Sequence, residues 1–249
     1  MPSRVVLEGR ERAVEVMMRN GGSTPASFRV SLKEMDMLPN GKLQGRVKKE
    51  GEITAADLVR FSPRQVDLAP GESQIVRFQL RKPADLPEGE YRSHALFQGI
   101  PPANPAEPIT EDVERRLSFN ITQVMGISIP LIVRHGETKA TITLKDLRYW
   151  QPDVPGTVPV ISLFLERTGN RSVVGDLRAS VDSGGQLAKG TLLFELKSTG
   201  VYTNLERREV HLPMYFAKDG KLKGTRVKIT FNATDMKMAP DVAYIDLAP

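Results

Sequence analysis

Leu117-Ser118-Phe119-Asn120-Ile121-Thr122-Gln123-Val124-Met125-Gly126-Ile127-Ser128-Ile129-Pro130-Leu131-Ile132-Val133 places Leu117, Phe119, Ile121, Met125, Ile127, Ile129, Leu131 and Val133 on one parity, with Gln123 as the polar interruption. Apolar residues at every second position mark a β-strand with one face in a core. At about 3.3 Å per residue the strand would run roughly 55 Å, far beyond the usual length of five or six residues. One sandwich cannot cover all of it. In one reading the strand bends or breaks, for example at Gly126, and its halves serve different sheets or domains. In the other it is an edge that pairs with a second protein by β-augmentation, offering unpaired backbone groups and uncovered apolar side chains.

The same period recurs on both sides of this run. Val14, Val16 and Met18 alternate, as do Phe28, Val30 and Leu32, and Val76, Phe78 and Leu80. Turn chemistry separates them at Asn20-Gly21-Gly22, Asn40-Gly41, Pro70-Gly71 and Leu86-Pro87-Glu88-Gly89. A short helical turn is expected at Thr54–Val59, and the proline-rich stretch Ile100–Pro108 is expected to be an exposed, mobile loop. The grammar restarts after Arg134-His135-Gly136-Glu137, with Ile161, Leu163 and Leu165, then Leu177, Ala179 and Val181, then Leu192, Phe194 and Leu196. Val210 and Leu212, and Val227, Ile229 and Phe231, complete the series. The expected fold is all-β, with two sandwich domains at residues 1–135 and 136–249.

The 249 residues suit two sandwiches of about 100 residues each. The absence of cysteine excludes a disulfide scaffold, a thiolate metal site and a cysteine nucleophile. No apolar stretch reaches the length of a membrane-spanning helix, so no membrane insertion is expected. The 35 basic residues exceed the 30 acidic ones by five, but they alternate with apolar residues, as in Val76-Arg77-Phe78-Gln79-Leu80. That is a solvated strand face, and with 6% aromatic residues it lacks the footprint of a nucleic-acid binder.

Catalytic signatures are likewise missing. His94, His135 and His211 have no acidic or histidine neighbour at metal-ligand spacing and are expected at the surface or at strand boundaries. No nucleophile elbow, phosphate loop or dinucleotide fingerprint occurs. Glu111-Asp112 and Glu50-Gly51-Glu52 fall on loops, where solvation accounts for them. The expectation is a protein that is not an enzyme and holds no cofactor and no metal.

Several motifs in order resemble the PapD-like periplasmic pilus chaperones, whose two immunoglobulin-like domains are arranged in an L. They are Arg4-Val5-Val6-Leu7-Glu8-Gly9; Ser62-Pro63; Leu68-Ala69-Pro70-Gly71-Glu72-Ser73-Gln74-Ile75-Val76-Arg77; Leu86-Pro87-Glu88-Gly89-Glu90-Tyr91-Arg92; and Ile100-Pro101-Pro102. Together they span residues 4–134; the remainder matches in fold class alone. The resemblance implies a chaperone that caps an incomplete pilus subunit by donor-strand complementation, without a nucleotide, and delivers it to an outer-membrane usher. The implied donors are Leu117, Phe119, Ile121, Met125 and Ile127. Arg4 falls on the family's carboxylate-binding arginine, whereas the accompanying lysine position falls on Pro130. Glu90 and Arg134 match an interdomain ion pair. A periplasmic location, a removed signal peptide and a self-capping dimer belong to the same expectation. The alternative is a stand-alone adhesin or structural module whose long strand is covered by its own chain.

Overall fold

The computed structural model describes residues 2–101, 124–154 and 156–247. The chain forms two compact units. The first comprises residues 1–34, 47–86 and 91–134; the second comprises 35–46, 87–90 and 135–249. The division near residue 135 is therefore accompanied by two earlier segments that cluster with the second unit.

The first half of the chain supplies β1 (Val5–Leu7), β2 (Ala13–Arg19), β3 (Ala26–Met37), β4 (Leu43–Arg46), α1 (Ala55–Leu58), β5 (Val59–Ser62), β6 (Gln65–Leu68), β7 (Ser73–Leu80), β8 (Gly89–Ile100) and β9 (Gly126–His135). One sheet runs β1-β9-β8-β3-β4 with β6 also on β3; the other runs β2-β7-β5. This pairing is immunoglobulin-like. Val16, Met18, Val76, Phe78 and Leu80 face inward on the small sheet, as their alternation predicts, while Met17 and Ile75 face out. Phe78 lies at the centre, with its ring 5.7 Å from Phe61 and 6.4 Å from Phe97. The helical turn is where the sequence places it, closed by Asp57 accepting from the Thr54 amide at 2.7 Å.

The second half supplies β10 (Ala140–Trp150), β11 (Val160–Gly169), β12 (Val173–Gly184), β13 (Leu192–Val201), β14 (Arg207–Pro213), β15 (Thr225–Ala233) and β16 (Asp241–Asp246). Its sheets are β10-β11-β14 and β13-β12-β15-β16, closed on a core containing Leu163, Leu165, Leu177, Leu212, Ile229 and Phe231. Alternation fails in β13. Leu192 is half exposed and Leu193 is buried, because register shifts where Ser180 pairs with Leu192 shift the facing of β13. Phe194 and Leu196 pack partly on the core.

A buried arginine ties the loops of this unit together. Arg167 donates to the carbonyls of Gly169 at 2.7 Å, Arg171 at 3.0 Å and Leu205 at 3.1 Å, with longer bonds to Thr168, Tyr202 and Thr203. A guanidinium has enough donors in one plane to satisfy carbonyls from several loops. Arg171 and Asp235, both nearly buried, approach to 3.6 Å nearby.

Candidate functional site

The long apolar parity reaches the described part of the structure at Met125 and ends in β9. Along it, exposure falls from 76% at Met125 and 58% at Ile127 to 4% at Ile129, then zero at Leu131 and Val133. The inner face of the sandwich thus continues past its own cover. Gly126 lies between the two exposed residues, where any side chain would meet Leu96 and the Phe97 carbonyl at 3.3 Å. Leu117, Phe119 and Ile121 lie outside the described residues.

Backbone pairing stops at a similar point. β1 runs parallel to β9 and meets it only at Leu131, Ile132 and Val133. On the opposite side, the Met125 carbonyl accepts from Gly99 at the end of β8, 2.9 Å away. Gly126–Pro130 therefore has β8 on one side and, among the described residues, no β1 register on the other. Three residues of parallel pairing are a short cover, and an uncovered strand edge is a template for another strand.

Beside this edge lies a groove of about 1000 Å³. Its walls include Met17 and Met18 from β2, Ile127 from β9 and Met125 just before it, and Phe28, Phe97 and Ile129 contribute aromatic and aliphatic surface. Glu15 and Arg19 add charge along the β2 side. The site can receive an apolar side chain and a paired backbone together. The alternation pointed to Met125 and Ile127; β2 and the phenylalanines were not foreseen, because a groove between two sheets has no signature within either strand.

Arg4 immediately precedes β1 and is partly buried, with no hydrogen bond or ion pair among the described residues. Stepping back from the Val5–Leu131 pair along both strands reaches Arg4 and Pro130. Val5 and Leu131 point into the core, so Arg4 and Pro130 belong to the opposite parity. Pro130 brings neither a charge nor an amide donor to that face. Lys82 donates to the Arg134 carbonyl at 2.9 Å, its ammonium pushed below the usual lysine range by burial and then by Arg12.

Glu90 accepts from both the amide and hydroxyl of Ser172, at 3.1 and 2.8 Å. Arg134 is buried and donates to Glu8 at 3.0 Å. Of the histidines, His94 departs from expectation. It is fully buried in β8, its Nδ1 3.2 Å from the Ser128 hydroxyl in β9, and burial followed by Arg92 pushes its pKa down to about 4. His94 lies on the parity opposite the core residues Ala95 and Phe97, a face that sequence alternation assigns to solvent. Among the described residues, no group of three acidic, histidine or cysteine side chains could hold a metal ion.

No protein-family model and no curated protein sequence matches the chain. Solved structures do. The chain is similar to one in a chaperone–tip adhesin complex of CFA/I fimbriae biogenesis, at 11% identity and TM-score 0.49, covering 100% of this chain and 97% of that one. It is similar to the CupB2 chaperone of Pseudomonas aeruginosa, at 11% identity and TM-score 0.47, covering 99% and 98%. It is also similar to a chain of the CsuC–CsuE chaperone–tip adhesion subunit complex of Acinetobacter baumannii, at 13% identity and TM-score 0.47, covering 98% and 95%.

Proposed function

We propose that the protein is a periplasmic chaperone of pilus subunits, which lends β9 and the chain preceding it to an incomplete subunit and passes that subunit to an outer-membrane usher. The observation that carries this reading is the exposure gradient along one strand face, from Met125 to Leu131. A strand that leaves its own core with apolar side chains and a free edge can complete another immunoglobulin-like fold. Covering Met125 and Ile127 would contribute on the order of 1–2 kcal/mol each before ordering costs. On this reading Leu117, Phe119 and Ile121 continue the donor series, and Arg4 holds a subunit carboxylate.

The test is co-expression in a bacterial periplasm with the pilin-like subunits encoded beside the gene. A one-to-one complex is expected, lost in Met125→Asp/Ile127→Asp and weakened in Arg4→Ala. A monomeric protein that captures no subunit, with β9 protected from hydrogen exchange, would instead establish a closed module. A protein dimer joined through β9, found without subunit, would indicate self-capping.

A further inference from the structure

The second unit has a site of its own on the outer face of β10-β11-β14. Its core-facing residues are Ile161, Leu163 and Leu165 in β11 and Val210 and Leu212 in β14, so Ser162, Glu209 and His211 face outward. Registers align Arg148 with Ser162 and Ser162 with His211, setting one residue from each strand in a row. With Tyr149, Trp150 and Glu209 they line a concavity of about 580 Å³. Trp150 is the chain's one tryptophan and is 42% exposed. Its ring stands nearly perpendicular to His211, with centroids 6.3 Å apart, and His211 Nε2 is 3.0 Å from Glu209 Oε1.

The chemistry of the lining selects a class of ligand. Arg148 can only donate hydrogen bonds, ionised Glu209 can only accept them, and Ser162 can do both. The imidazole is already tied to Glu209, which holds that carboxylate in place. One guanidinium stands beside one carboxyl group, so the concavity is not a cluster of basic side chains of the kind that selects an anion. One carboxylate and one imidazole are too few to hold a metal. An exposed indole beside balanced donors and acceptors suits a ring with hydroxyls on its rim and polarised C–H groups on its face, since the aromatic face is negative. We propose that this face binds a neutral saccharide, with Trp150 as the stacking platform and Arg148, Ser162 and Glu209 as hydroxyl partners. The proposal rests on the second unit alone and is independent of the chaperone reading.

The single tryptophan makes the test direct. The full chain is titrated with maltohexaose, with chitohexaose and with an acidic hexapeptide while tryptophan emission and heat of binding are followed. A saturable response to at least one saccharide is expected, weakened about ten-fold or more in Arg148→Ala and in Glu209→Gln, equivalent to about 1.4 kcal/mol. Trp150→Ala should abolish the heat of binding. Unfolding midpoints of the variants, measured alongside, separate lost binding from lost folding. No saturable response to either saccharide would overturn the proposal. So would saccharide binding indifferent to Arg148→Ala and Glu209→Gln in folded protein, or binding of the peptide alone.

Discussion

Ile127 and Ile129 stand two residues apart on the same face of β9, yet the first is 58% exposed and the second 4%. The edge of the sandwich's cover passes between them. Ile129→Ala should therefore cost about 2–4 kcal/mol of stability, as large-to-small changes in a core do. Ile127→Ala should cost less than about 1 kcal/mol. Urea unfolding of the two variants checks the contrast; equal losses would mean that Ile127 is core as well.

Arg4 should separate binding from folding in the same way. Its side chain makes no hydrogen bond or ion pair among the described residues, so Arg4→Ala should change stability by no more than about 0.5 kcal/mol. Capture of a pilin-like subunit should fall by about ten-fold or more if Arg4 holds a carboxylate. Introducing a base beside it, Pro130→Lys, should strengthen capture. Subunit pull-down across the three proteins measures both effects.

His94 predicts a loss of stability in acid. Its folded pKa of about 4 lies below the ordinary 6.5, so between these values the unfolded chain binds more protons. Stability is unaffected by His94 above about pH 6.5, falls as pH drops from there towards 4, and levels off below. The full penalty is up to about 3 kcal/mol. A His94→Gln variant should lose this part of the pH dependence in urea titrations run at several pH values.

Arg167 should be among the costliest side chains to remove. Arg167→Met would strand carbonyls of the loops around Gly169 and Tyr202 that the guanidinium now satisfies. A loss of about 3 kcal/mol or more is expected, because buried acceptors lose their donors together. Arg167→Lys should recover only a part, since an ammonium cannot span the same carbonyls in one plane. Calorimetric unfolding reads both.

Strands such as β7, β11 and β15 were legible because they combine strict alternation with Gly or Pro punctuation, so pattern and burial coincide at Val76, Phe78, Leu163, Ile229 and Phe231. β13 was less legible, since a register irregularity changes facing without leaving a mark in composition. The surplus of apolar parity was legible, and along it exposure drops between Ile127 and Ile129. The burial of His94 and the loop-binding role of Arg167 were not legible. Both depend on atoms distant in sequence that close over a polar side chain, and hydropathy carries no term for such closure.

The path of the chain between the two units bears on how the protein could be taken apart or recombined. Met35–Arg46 clusters with the second unit although it is encoded within the first half, and Asn204 clasps Met37 there by bonds to its carbonyl and amide. A gene fusion cut at residue 135 would transplant the second sandwich without this hairpin. Its donor would keep a hairpin whose binding surface had gone. Shuffling that respects the fold would have to move the two segments as one heritable unit, so the chain is less modular than its two sandwiches suggest.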